Sequence, residues 1–185
     1  VCGAQVAVSV RGIAPLGDRV VIAGDDGVHG EELWISDGTA AGTLLVADIA
    51  PGLRSSRPHQ FVAAETRIFF SADDGLTGFE LWVTDGSAAG TRQLADLNPG
   101  PLGSRVESVV ALGNRLLFTP SVPGGLWSSD GTPAGTLLVT NEAWLPQELG
   151  FANPPAAVLD GRLLFRSSSS IGGTLWTTDA TPAET

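Results

Sequence analysis

Lysine, methionine and tyrosine are missing from this chain, cysteine occurs once, and histidine occurs twice. Without lysine there can be no phosphate-cradling Gly-x-x-x-x-Gly-Lys loop, and no Gly-x-Gly-x-x-Gly run is present either. The single cysteine, Cys2, excludes an internal disulfide. It reads as a thiol at a frayed end, because mature lipoproteins begin at the modified cysteine itself. One cysteine and two separated histidines do not assemble the tetrahedral nitrogen and sulfur shell that zinc takes. No apolar run approaches the ~20 residues that cross a bilayer as a helix. Basic charge is scarce as well: ten arginines stand against twenty acidic residues, a formal charge of −10. That balance argues against nucleic acid and against an anionic membrane as partners. The arginine-only basic set, with abundant alanine, glycine, leucine and valine, reads as a GC-rich bacterial coding bias. Val1 in place of methionine reads as a processed or excised product, with any export signal lost from view.

What is present is repetition. ELWISDGTAAGT from Glu32, ELWVTDGSAAGT from Glu80, GLWSSDGTPAGT from Gly125 and TLWTTDATPAET from Thr174 are one sentence written four times. Its tryptophans, Trp34, Trp82, Trp127 and Trp176, fall 48, 45 and 49 residues apart. A fixed period of this length means an array of one supersecondary unit. Residues 1–185 are therefore read as one repeat domain, with repeats at about 13–49, 61–97, 107–140 and 156–185.

Within each repeat four short apolar runs alternate with turn residues, the rhythm of an all-β chain. In the second repeat they are Phe61 to Ala64, Arg67 to Ala72, Glu80 to Thr84 and Arg92 to Leu97. Runs one and two are joined by the two-residue turns Gly17-Asp18, Glu65-Thr66, Gly113-Asn114 and Asp160-Gly161, most of them suited to positive-φ hairpins. No window keeps the spacing of an amphipathic helix. Second runs such as Ile68-Phe69-Phe70 and Leu116-Leu117-Phe118 are apolar at consecutive positions, so both faces of the strand must be covered. The pattern predicts a β-propeller of four-stranded antiparallel blades, either a four-bladed ring or part of a larger one. The repeated tryptophans are expected to fill the wedges between blades, whereas Trp144 stands outside the repeat. Arg19, Arg67, Arg115 and Arg162 open the second runs, and Asp37, Asp85, Asp130 and Asp179 close the third. Antiparallel neighbours would bring each arginine to its own turn aspartate as a blade clamp, with the aspartate also accepting N–H groups of its turn.

These motifs resemble the bacterial repeat family named for its Glu-Leu-Trp-x-x-Asp-Gly-Thr signature. The continuations Asp48-Ile49-Ala50-Pro51-Gly52 and Asp96-Leu97-Asn98-Pro99-Gly100 resemble that family too. The resemblance implies a large exported or surface protein, extracellular or at the bacterial cell surface, with a propeller-like fold and no defined enzymatic activity. The third and fourth repeats depart from it: Gly125 and Thr174 replace the glutamate, and Ala180 and Glu184 replace two glycines. Ser71 to Thr77 also resembles the Asp-box hairpin of sialidase-type propellers, where the box is structural.

In a propeller the loops between runs two and three, and from run four to the next repeat, emerge on one face, the usual binding surface. Here that face would carry Asp25 to Glu31, Asp73 to Gly78, and the longer connections 50–60, 98–105 and 142–155. Asp25, Asp26 and Glu31, with Asp73, Asp74 and Glu80, offer the hard oxygen ligands calcium selects, although the corresponding loops of repeats three and four have no carboxylate. His29 and His59 lie in predicted loops with no nucleophile motif beside them. The expected function is a non-catalytic secreted or cell-surface module binding a protein or glycan on the loop face, or assembling a surface complex. The alternatives are a propeller-type glycoside hydrolase, which would bring Asp25, Asp26, Asp73 or Asp74 to a common pocket, and a structural spacer. A ring is expected to close either through 5–10 adding a strand to the last blade or through further repeats or another copy. The second route is favoured because only Arg11 and Gly12 would remain to cross three strand spacings of ~4.8 Å.

Overall fold

A computed structural model of the protein describes residues 8–141, 156–167 and 174–179. Three four-stranded antiparallel sheets follow one another along the chain. The first holds β1 (Ser9–Leu16), β2 (Arg19–Asp25), β3 (Glu31–Ser36) and β4 (Leu44–Ala47). The second holds β5 (His59–Ala64), β6 (Arg67–Asp73), β7 (Phe79–Thr84) and β8 (Arg92–Ala95). The third holds β9 (Val106–Leu112), β10 (Arg115–Pro120), β11 (Leu126–Ser129) and β12 (Leu137–Thr140). A fourth sheet contains β13 (Ala156–Leu159), β14 (Arg162–Ser167) and β15 (Thr174–Thr178). Each is a meander in which sequence neighbours pair, and no helix occurs among the described residues. Trp144, Cys2, the connection 142–155, Ala180 and Glu184 lie outside the described residues, as does the side chain of Trp176.

The hairpins turn where the sequence places them. Gly17 and Gly113 take φ of 62° and 59°, and Glu65 and Asp160 take 52° and 50° at the same position of their turns. A left-handed conformation costs an L-residue with a Cβ about 1–2 kcal/mol, less for asparagine, whose side chain bonds locally. Glu65→Asn should therefore raise stability by about 0.5 kcal/mol. The check is a higher urea midpoint at unchanged slope.

Consecutive apolar residues face opposite ways because the strand period is two. Phe70, Ile68 and Ala72 of β6 pack with Val21, Leu33 and Ile35 of the first sheet. Phe69, with Leu81 and Val83, packs with Leu116 and Phe118 of the third. The third sheet's other face sends Val110, Leu112, Leu117 and Leu126 against Leu163 of β14. Successive sheets thus stack face to face in chain order, which accounts for the consecutive apolar positions. First strands neighbour one another, β1 beside β5 and β5 beside β9. Trp82 and Trp127 face the sheet before their own, Trp82 packing against the first interlayer cluster and Trp127 against the second, each half-buried, while Trp34 is buried at 8% exposure. Phenylalanines lie deepest, with Phe69, Phe70 and Phe118 at 1%, 1% and 0% exposure.

One expectation about the chain start is corrected. Ser9 and Val10 pair with Asp25 and Gly24 after a shift at Arg11, so they lengthen β1 in the first sheet and do not join the last. The bulge lets β1 follow β2 along its whole length, which satisfies the backbone locally. Residues 5–7 lie outside the described residues.

Candidate functional site

At one end of the sheets the repeated sentence builds a rigid turn. Asp37 Oδ1 accepts the N–H and hydroxyl of Thr39 at 2.9 and 2.7 Å, and the same bonds join Asp85 to Ser87 and Asp130 to Thr132. These hydroxyl and N–H groups hold all three carboxyls below their ordinary pKa. Hydroxyls lace the rest: Ser36 with Thr43 at 2.6 Å, Thr84 with Thr91 at 2.7 Å, Ser129 with Thr136 at 2.8 Å. The alanine-glycine-threonine ending follows from this packing, since a Cβ on Gly42, Gly90 or Gly135 would stand 2.0–2.1 Å from the aspartate oxygen.

No ion pair joins Arg19 to Asp37, Arg67 to Asp85 or Arg115 to Asp130, because the aspartates are already engaged by their turns, although the charges of Arg19 and Arg115 help to lower the pKa of Asp37 and Asp130. Arg67 instead donates from Nη1 to the carbonyl of Asp130 in the third sheet, and Arg92 Nη2 donates to Gly131 O at 2.7 Å. Arg19 Nη2 lies beside Gly86 of the second sheet's turn, 3.6 Å from where a Cβ there would stand. The guanidinium is long enough to span a sheet spacing and finds backbone carbonyls there. Arg115 Nε bonds Ser128 Oγ at 3.0 Å and Arg162 Nε bonds Thr177 Oγ1 at 3.3 Å, each within its own sheet. Asp179 directly follows β15.

At the opposite end the motif's glutamate has a role that sequence reasoning missed. Glu32 and Glu80 are fully buried. Glu32 accepts the N–H groups of Ile49 (2.7 Å), Ala50 (3.2 Å) and Ser56 (2.9 Å), together with the Ser56 hydroxyl (2.6 Å). Glu80 accepts Leu97 N (3.4 Å), Ser104 N (2.7 Å) and Ser104 Oγ (2.5 Å). Burial pushes both carboxyls above their ordinary pKa, opposed by the serine hydroxyl and backbone donors. Each carboxylate therefore pins the connection leaving its own sheet. A signal was available: both glutamates have a serine 24 residues on, whereas Gly125 has Leu149. The third repeat uses the same place differently. Glu31 O and Phe79 O accept N–H groups of the following connection, from Arg57 and from Ser104 and Arg105, while the equivalent Gly124 O accepts the Trp127 indole N–H at 2.9 Å. Left-handed φ at Gly124 and Gly125, 84° and 81°, turns the chain to allow it. Trp34 and Trp82, whose neighbouring carbonyls are occupied, bury their indole N–H without a partner.

These connections bind the loops of neighbouring sheets into one surface. Ser55 Oγ accepts Glu31 N at 3.0 Å, Ser56 O accepts Asp73 N at 2.9 Å, and Arg105 O accepts Ser121 N at 3.0 Å. The approach is close: a Cβ on Gly30 would meet Arg54 O at 2.2 Å, and one on Gly78 would meet Gly103 N at 2.5 Å. Loops 25–31, 50–58, 73–79, 98–105 and 121–124 thus lie edge to edge.

Asp25, Asp26, Asp73 and Asp74 sit on this surface as Asx turns. Asp25 and Asp73 take Gly27 N and Gly75 N at 2.7 and 2.8 Å, and Asp74 takes Leu76 N and Thr77 N at 2.8 and 2.7 Å. The expected ligand set is not gathered: Glu80 is buried on the opposite face of the ladder from Asp73, Glu31 faces Arg11 at 3.6 Å, and no group of three metal-ligating side chains forms among the described residues. His29 Nδ1 meets Asp26 Oδ2 at 2.9 Å. Bonds from the N–H groups of His29 and Val28 and from the His29 ring bring Asp26 down to about 2, and the Asp26 carboxylate raises His29 above its ordinary value. The Asp26 contribution to stability is present above its ordinary 3.8 and lost as pH falls towards about 2. The His29 contribution is present below its ordinary 6.5 and lost as pH rises through the folded value. Asp26→Asn should lower the His29 titration midpoint, read from its imidazole proton resonances.

Exposed aliphatic side chains cap the same loops. Val28 and Leu76 crown the two aspartate turns at 61% and 76% exposure, Leu53 and Leu102 crown the pinned connections at 82% and 72%, and Val122 follows at 46%. Leu53, Leu76 and Leu102 are the most exposed large apolar residues of the described chain.

No protein-family model matches this chain, and no curated protein does. Among solved structures, the crystal structure of the computationally designed Ika8 protein is similar over 90% of this chain, at 15% identity and a TM-score of 0.46. The alignment covers 45% of that protein's length.

Proposed function

We propose that this chain is a non-catalytic module of β-propeller architecture, secreted or displayed at a bacterial surface, whose loop face binds a protein or a glycan. The propeller reading is supported by meandering sheets stacked in chain order with their first strands side by side. The observation that carries the binding reading is the stitching of loops from successive sheets into one surface, with buried Glu32 and Glu80 holding its connections in place. Rigid loops bind with less ordering entropy than loose ones. The acids on this surface support binding over hydrolysis, because a general acid needs a raised pKa and the loop N–H groups lower those of Asp26 and Asp74.

Labelled protein should bind saturably to immobilised glycans or to intact bacterial cells. A triple variant, Leu53→Ser, Leu76→Ser and Leu102→Ser, should lose that binding while melting at the same temperature, because all three side chains are largely in solvent already. Equal binding by the two proteins would overturn the assignment of the loop face.

A further inference from the structure

We propose that the loop tips form a docking surface for a protein partner whose contact patch combines apolar side chains with arginine or lysine. This rests on the loop face being the binding surface and goes beyond it in choosing the chemistry of the partner. Scattered exposed leucines are ordinary on any protein. Here the three most exposed ones stand on consecutive, hydrogen-bonded loops, and Val28 and Val122 extend the row on either side. The two aspartate turns repeat the arrangement, with an aliphatic tip following Asp-Asp-Gly in each. Exposed apolar side chains on adjoining, hydrogen-bonded loops mark a contact surface.

The chemistry favours a protein. Sugar rings are gripped by flat aromatic faces, whereas among the described residues the loop tips are aliphatic and Trp34, Trp82 and Trp127 are committed to the sheets. Around the tips, Asp25, Asp26, Asp48, Asp73, Asp74 and Asp96 outnumber Arg54, Arg57 and Arg105. Loop N–H groups occupy one oxygen of Asp25, Asp73 and Asp74, and the other oxygen makes no hydrogen bond within the described residues. Such a surface repels anionic lipid and attracts a basic rim. An apolar centre ringed by charge is the usual anatomy of a protein interface.

The test is selection of a random-peptide phage library on the immobilised chain, with glycan arrays and zwitterionic and anionic vesicles run in parallel. The expected result is enrichment of peptides that pair leucine or aromatic residues with arginine or lysine. Their affinity should fall at least tenfold on the Leu53→Ser, Leu76→Ser, Leu102→Ser variant and weaken as sodium chloride is raised. Enrichment without basic residues, undiminished binding to the variant, or no enrichment overturns the proposal. Binding of glycans or vesicles that the variant loses also overturns it, while leaving the loop face as the binding surface. No loop-dependent binding to any probe overturns both.

Discussion

Glu80→Ala should lower the stability of the protein by about 3–5 kcal/mol, because each buried donor left unsatisfied costs about 1–3 kcal/mol. The substitution strips the acceptor from Leu97 N and the Ser104 hydroxyl, which cannot turn to water without opening the connection, and leaves Ser104 N only its bond to Phe79 O. Glu80→Gln should cost only about 1 kcal/mol. Its carbonyl can still accept Ser104 N, and its amide can donate to the Ser104 oxygen, so only Leu97 N and the Ser104 hydroxyl hydrogen lose the acceptor they shared. The glutamine also sheds the desolvation that raises the carboxyl's pKa. A group whose folded pKa is raised is a smaller burden when protonated. Stability of the parent should therefore increase as pH falls through the folded value towards the ordinary 4.5, and this gain should be smaller in Glu80→Gln. Urea unfolding of the three proteins across that window checks both statements. Equal losses for alanine and glutamine would mean that the second carboxylate oxygen and its charge hold the connection, and that side-chain volume and the one acceptor glutamine keeps do not.

Phe118→Ala should cost about 3–5 kcal/mol, because the ring is fully buried between the second and third sheets and its loss leaves a cavity in that core. Trp127→Ala should cost less, since its ring is half-buried and sits beside that cluster, 6.4 Å from the Phe118 centroid. Chemical denaturation of both variants gives the order. A larger loss at Trp127 would return the tryptophan to the centre of the interlayer core.

The repeat period, the four-run rhythm and the consecutive apolar residues at Ile68-Phe69-Phe70 are local properties, and β6 from Arg67 to Asp73 follows from them with both faces buried. Turn chemistry is equally local: Gly-Asp and Gly-Asn dipeptides specify tight hairpins, and an aspartate two residues before a threonine closes its own Asx turn. The Arg67 contact is another matter. Proximity along the ladder points to Asp85, yet the guanidinium bonds a carbonyl of the third sheet, because Asp85 is satisfied at shorter range and the next layer presents unpaired acceptors.

By itself the sequence determined an all-β array of repeated sheets, where the tight hairpins turn, and which residues are apolar enough to be covered twice, because these depend on periodicity and on backbone preferences within a few residues. Only the tertiary structure decided that Glu32 and Glu80 serve as buried anchors for the loops, that arginines bridge layers, and that Leu53, Leu76 and Leu102 stand on adjoining loops. The physical reason is distance along the chain: a carboxylate's role depends on which donors approach it, and those donors, Ser56 and Ser104, arrive from 24 residues away.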